Sequence, residues 1–283
     1  MTSIQRSLRR PKATVGVARS TTSTAPQHRI AVPLAADGIS KRFKHRGEYV
    51  EALHSTTLHL APGEFVCLLG PSGCGKTTLL NIFAGFIKPD SGGVTIGGQP
   101  IVGPGPDRCV LFQTPTLFSW LTVKNNVLFG PRSKGKLNEG IRREADVLLE
   151  RVGLDQFADH YPHQLSGGMR YRAALARALI NRPSVMLLDE PFAALDAITR
   201  HHMQDFLLEL WEEFQMTVLF VTHDIDEAVL LADRTCVMSP RPARIIGEER
   251  SKLPRPRSHE LVETLEFLEC RHRINVLLDG ERA

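Results

Sequence analysis

From about residue 35 short apolar runs recur along the chain, separated by amphipathic stretches and punctuated by Gly and Pro. That pattern predicts strands feeding helices in an α/β layer. FVCLL at Phe65–Leu69, VMLL at 185–188 and TVLFV at 217–221 are uninterrupted apolar runs and predict buried strands. Residues 35–43, 52–60 and 92–96 roughly alternate polar and apolar between turns, as strands of an antiparallel part do, and 107–112 is a further strand candidate. Helical spacing predicts helices over 76–84, 141–152, 169–180, 199–214 and 226–233. In the longest, Met203, Phe206, Leu207, Leu210, Trp211 and Phe214 form one stripe, read as core. Between about 113 and 161 strand signals are absent and the helices weakly patterned, which suggests a small helical subdomain inserted into the sheet domain. Past Pro240, SPRPARII and LPRPR predict a turn and an extended linker ahead of a last helix over 259–278.

Composition adds little to this picture. Apolar residues make up 42% and charged residues 23% of the 283, which excludes wholesale disorder or a collagen-like repeat. No window approaches the roughly 18 consecutive apolar residues of a spanning helix. Charge matters at one place. The net +4 comes from 35 basic against 31 acidic residues, and Arg6, Arg9, Arg10, Lys12, Arg19 and Arg29 all precede the first acidic residue, Asp37. The basic excess therefore belongs to a tail, and nucleic-acid binding gains little from it. That tail, assigned to 1–34, reads as a disordered basic segment; its Arg, Ser and Thr content also resembles a transit peptide, without the apolar region of a secretory signal. The cysteines at 67, 74, 109, 236 and 270 show no C-x-x-C or metal-ligand spacing, which fits a reduced compartment.

Three segments carry chemistry. Gly70-Pro71-Ser72-Gly73-Cys74-Gly75-Lys76-Thr77, followed by Thr78, matches G-x-x-x-x-G-K-[ST] between a predicted strand and a predicted helix. Its backbone N–H groups and the helix N-terminus would hold the oxygens of a triphosphate, Lys76 would reach the β- and γ-phosphates, and the Thr77 hydroxyl would ligate Mg²⁺. VMLLDEP delivers Asp189 and Glu190 at the tip of a buried strand, a placement that calls for a cation or a chemical task. Asp189 suits Mg²⁺, and Glu190 suits polarising an attacking water. Leu165-Ser166-Gly167-Gly168-Met169 places a hydroxyl and bare N–H groups at the start of a helix, either as a second anion-binding device or as an ordinary N-cap.

Taken together, GPSGCGKTT (70–78), Gln113, LSGGM (165–169), VMLLDEP (185–191), Ala194-Leu195-Asp196 and Val221-Thr222-His223-Asp224 resemble, in order and spacing, an ABC-type ATPase cassette over about residues 35–242. GPGPDRCVLFQ (103–113) and VLFVTHDIDEAVLLADR (218–234) are similar to the ATPase subunits of nitrate, sulfonate and taurine importers. The resemblance implies a phosphate-loop α/β fold with a mostly parallel core sheet, an antiparallel β subdomain and an inserted helical subdomain. The cassette would span 35–247, its helical subdomain about 114–170, with a linker and C-terminal helix over 248–283.

What the resemblance implies for function is specific. ATP and Mg²⁺ are the cofactors. Glu190, His223 and Gln113 are catalytic, and Thr77, Gln113 and Asp189 surround the metal. Phe43 would stack on adenine, with Tyr49 as a rival. Leu165 to Met169 act on the ATP of a second copy, and Asp196 lies in the dimer loop. The partners are a second cassette, integral membrane permease subunits and, indirectly, a periplasmic or extracellular solute-binding protein, with no nucleic acid. The place is the cytoplasmic face of a bacterial plasma membrane, and the cargo a small anion such as taurine, an aliphatic sulfonate or nitrate. A soluble repair or translation cassette usually has paired cassettes or a long coiled coil, neither of which is visible. A nucleotide-dependent regulatory module is opposed by the intact Lys76, Glu190 and His223. Met169 and Tyr171 stand where many cassettes have Gln, and Ser119-Trp120 replaces Pro-Trp in the region expected to meet the permease.

Overall fold

The computed structural model describes residues 30–280, so most of the basic tail and residues 281–283 lie outside the described residues. β1 (Leu34–His45) and β2 (Glu48–Leu60) form an antiparallel ribbon, and β3 (Phe65–Leu69) runs into α1 (Lys76–Ala84). β4 (Ser91–Ile96) and β5 (Gln99–Pro100) return to the ribbon, and β6 (Arg108–Leu111) enters a second sheet. The helices α2 (Val123–Ser133), α3 (Glu139–Arg151) and α4 (Gly167–Leu179) follow. Then come β7 (Val185–Asp189), α5 (Ala197–Phe214), β8 (Thr217–Thr222), α6 (Ile225–Leu231), β9 (Arg234–Met238), β10 (Ile245–Arg250) and α7 (Leu265–Asp279).

The first sheet has the order β2-β1-β4-β5 and is antiparallel throughout. The second has the order β10-β9-β3-β8-β7-β6, parallel except for β10. Its central strands are apolar over most of their length because both faces are covered, and the period of two sorts their side chains. Phe65, Cys67, Leu69, Met186, Leu188, Val218 and Phe220 enter one core with α4, α5, α6 and α7. Val66, Leu68, Val185, Leu187, Leu219 and Val221 enter the other, with α1 and the ribbon. Full burial of a side chain such as Phe65 contributes roughly 1.5–3 kcal/mol, so the doubly covered sheet is a rigid base for its loops.

Four features depart from the pattern reading. α2 buries a polar residue, Asn126, whose amide donates to the Phe118, Leu121 and Thr122 carbonyls while its oxygen accepts from the Phe118 N–H. That polar residue sits inside the buried stripe of Val123, Val127 and Pro131 and weakens its pattern. β9 opens with buried Arg234, paired to Glu64 at 2.8 Å and Glu248 at 2.9 Å, which hides a strand at its start. β10, part of the stretch read as turn and linker, is a half-exposed edge strand pairing with β9, so the expected boundary at 247 falls inside it. The last helix begins at Leu265, because the Thr264 hydroxyl caps it from the Phe267 N–H and residues 259–263 form a 3₁₀ turn.

The C-terminal segment is fastened to the core by two arginines. Arg255 lies 4.0 Å from the Trp211 ring and donates to Asp233 at 2.8 Å. Buried Arg257, pulled down to about 10 by desolvation, donates to the Ala232, Leu230 and Val229 carbonyls at the end of α6. Among the described residues no helix is long and apolar enough to cross a membrane.

Candidate active site

Because β9, β3, β8, β7 and β6 run parallel side by side, their carboxyl ends share one edge of the sheet. That edge gathers the Gly70 loop after β3, Thr222 and His223 at β8, Asp189 and Glu190 at β7, Gln113 beyond β6, and residues 239–244 after β9. Open parallel sheets collect ligands at this edge.

The loop from Gly70 to Gly75 leads into α1, whose N-terminus receives no side-chain cap. Gly75 sits at φ +139°, and a Cβ there would lie 2.9 Å from the Ala52 carbonyl, so only glycine fits. Lys76 is 4% exposed; its ammonium donates to the Gly70 carbonyl at 2.8 Å and the Pro71 carbonyl at 3.1 Å, with Glu190 Oε1 at 3.7 Å. These oxygens offset the cost of burying the charge. Cys74 is buried and Ser72 exposed.

Asp189 Oδ1 accepts from the Thr77 hydroxyl at 3.1 Å. Desolvation raises the Asp189 carboxyl above its ordinary range and neighbouring Glu190 adds to this, against the Thr77 bond. An oxygen-only pair, with one carboxylate that burial disfavours, suits a hard divalent cation. Glu190 adopts φ +43°, a left-handed conformation that costs a non-glycine residue roughly 1–3 kcal/mol. Its N–H donates to the Val221 carbonyl at 2.9 Å, and its Oε2 meets His223 Nδ1 at 3.0 Å. The carboxylate is thus held between a lysine and a histidine. Gln113 is exposed and does not line the adjoining cavity.

The cavity has a volume of about 430 Å³. Gly73, Gly75, Lys76, Thr77, Thr78 and Glu190 line one end, and Phe43, His45, Val50, Ala52 and Arg241 the rest. Phe43 pairs with Val50 across the ribbon, so period-two alternation turns both to the cavity. Tyr49, next to Val50, does not line it; it lies 69% exposed beside Arg42. His45, Val50, Ala52 and Arg241 are the lining residues that sequence reasoning missed. Only the period of two around Phe43 and its partner strand could have pointed to the first three, and nothing local pointed to the fourth.

The second glycine device lies elsewhere. Ser166 caps α4, its Oγ accepting from the Met169 N–H at 3.3 Å; Leu165 is buried while Ser166 and Gly167 are exposed. Asp196 caps α5 in the same way through the Thr199 N–H at 3.0 Å, and that backbone bond holds its carboxyl below the usual range. A Cβ on Gly168 would lie 2.9 Å from Thr199 Cγ2, so the two caps are neighbours. None of these residues lines the cavity. Tyr171, fully buried, packs edge-on against Phe192 with ring centroids 5.5 Å apart.

Comparison with known proteins places this arrangement. The ABC transporter family model matches residues 53–193. The taurine import ATP-binding protein TauB of Ruegeria pomeroyi is 48% identical over 218 residues, 77% of this chain and 81% of that protein. The nitrate import ATP-binding protein NrtD of Synechococcus elongatus is 48% identical over 230 residues, 80% of this chain and 84% of that protein. An uncharacterized ABC transporter ATP-binding protein of Methanocaldococcus jannaschii is 47% identical over 253 residues, 89% of this chain and 93% of that protein. A solved dimeric ATP-binding cassette in a post-hydrolysis state, bound to ADP and Pi, superposes with a TM-score of 0.68 at 34% identity, covering 77% of this chain and 98% of that chain.

Proposed function

The chain belongs to the ABC transporter family and is an ATP-binding, ATP-hydrolysing subunit of an importer, and from that premise we propose how its residues share the work. The observation that carries the proposal is the Glu190 carboxylate, held between the Lys76 ammonium and His223 Nδ1 at the mouth of a cavity with an aromatic wall. Phe43 stacks on the base, and the uncapped N–H groups of the loop with Lys76 and Thr78 hold the phosphates. Glu190 accepts a proton as a water oxygen bonds to the terminal phosphorus and the bond to the ADP oxygen breaks; His223 orients Glu190 and the water. Thr77, Asp189 and Gln113 would hold Mg²⁺, which when bound neutralises charge on the phosphate oxygens.

Ser166, Gly167 and Gly168 act on the nucleotide of a second copy. Their position supports this: Ser166 and Gly167 are exposed, none of the three lines its own chain's cavity, and the solved cassette of similar fold is dimeric. Asp196 lies beside them in the same interface. Because closure binds ATP between two chains and cleavage releases it, the pair opens and closes as a population shift. The exposed aromatics Trp120 and Phe129, packed at a tilt against Phe118, offer a permease a surface on the inserted helical region, at the cytoplasmic face of the membrane. The cargo proposed is a small anion of the taurine, aliphatic sulfonate or nitrate class, delivered by a solute-binding protein. Uptake of labelled taurine, an alkanesulfonate and nitrate by cells with this chain or its Glu190→Gln variant tests the whole reading. Loss of one of these uptakes in the variant supports it, and unchanged uptake of all three refutes the cargo class.

A further inference from the structure

The cavity is lined by a lysine and an arginine, Lys76 and Arg241, and the function described above uses only the first. Arg241 comes from the turn after β9, 165 positions beyond Lys76 in the chain, and reaches the phosphate loop because β9 lies beside β3 in the sheet. Its Nε donates to the Gly73 carbonyl, and an Nη atom lies 3.4 Å from where a Gly73 Cβ would stand. The Nη groups make no hydrogen bond to the described residues, so one edge of the guanidinium grips the loop and the other remains for a ligand.

The turn that carries Arg241 is fixed rather than loose. Ser239 N–H donates to the Arg244 carbonyl at 3.0 Å, the Arg244 N–H returns to Ser239 Oγ at 3.1 Å, and the Ser239 hydroxyl donates to the Pro240 carbonyl at 2.9 Å. Ala243, fully buried, is stitched to β2: its N–H donates to the Ala52 carbonyl at 3.1 Å, and its carbonyl accepts from the His54 N–H at 2.9 Å and the Thr56 hydroxyl at 3.0 Å. A Cβ on Gly75 would lie 3.3 Å from the Ala243 methyl, so the turn also packs against the loop itself. The same strand β2 supplies Val50 and Ala52 to the cavity wall. Arg241 is therefore presented to the cavity by a platform bolted to both of its walls, at little entropic cost per contact formed.

We propose that Arg241 is a nucleotide-binding residue, its guanidinium holding the Gly73 turn through Nε and offering its Nη groups to the phosphate chain of the bound nucleotide. The assignment rests on the cavity being the ATP site. Lys76 meets the phosphates from within the loop, whereas Arg241 meets them from the loop's outer side. A planar fork suits phosphate oxygens better than a point charge does.

The test is titration of the wild type, R241A, R241Q and R241K with fluorescent mant-ADP, alongside thermal melts without nucleotide. R241Q can still donate to the Gly73 carbonyl but carries no charge, which separates holding the loop from binding the ligand. Removing one charge-assisted contact predicts about a tenfold weaker affinity for R241A and R241Q, with R241K weakened by only about threefold. The nucleotide-free melting temperatures stay near the wild type's, as expected for an exposed side chain. The assignment is overturned if R241Q binds mant-ADP as the wild type does, or if affinity falls only in variants that also melt early. A wild type that binds no nucleotide would overturn the ATP site itself, whereas a wild type that binds beside an unaffected R241A overturns Arg241 alone.

Discussion

Two glycine-bearing loops in this chain lead into helices, and they are built to opposite plans. At the phosphate loop α1 has no side-chain cap, its cation is buried, and a cavity lies in front of it. At residues 165–168 the helix α4 is capped by its own serine, the glycine beside it is exposed, and the cavity lining includes none of the loop. The first is a finished half of a site, with its N–H groups kept for a ligand. The second is an ordinary capped helix start, useful to a phosphate only when another molecule brings one. In the mechanism proposed above, this difference is what makes a second copy necessary.

The sharpest way to break the comparison is to empty the first loop. Lys76→Ala removes the cation that the Gly70 and Pro71 carbonyls hold in place, and nucleotide binding measured by mant-ATP titration should fall by about a hundredfold or more. A next smaller effect separates the aromatic candidates. Phe43→Ala should weaken nucleotide binding by roughly fivefold, as the loss of one aromatic stack does, while Tyr49→Ala should leave the same titration unchanged. An equal loss in both would move the base away from the Phe43 and Val50 face. The smallest effect lies behind the second loop. The Tyr171 hydroxyl is buried without a hydrogen-bond partner among the described residues, so Tyr171→Phe should stabilise the fold by about 1 kcal/mol in urea unfolding, with ATP turnover retained. Burial also pushes the phenol well above its usual range, so no titration of Tyr171 should be visible under conditions where the protein stays folded.

How far the sequence speaks differs along the same lines. The buried strands were legible because apolar runs such as FVCLL and TVLFV need no partner to be recognised. The phosphate loop was legible because its glycines and lysine are contiguous. β9 and β10 were not, since Arg234 opens one with a buried ion pair and the other is an edge strand with Glu248, Glu249 and Arg250 on it. α2 was hidden by its buried asparagine. Arg241 was invisible for a topological reason: it reaches Gly73 only because a strand near the end of the chain lies against the strand that precedes the loop. Tyr171, a departure beside the signature in sequence, is packed into the core against Phe192.

The central claim is that the finished half-site and the capped loop meet across two chains. It is tested most directly by sedimentation of Glu190→Gln with and without ATP, repeated with Ser166→Arg added, while mant-ATP affinity is followed in both proteins. The account predicts an ATP-dependent dimer for Glu190→Gln and a monomer for the double variant at nearly unchanged nucleotide affinity. A dimer that persists with arginine at position 166, or one that forms equally without ATP, would contradict it.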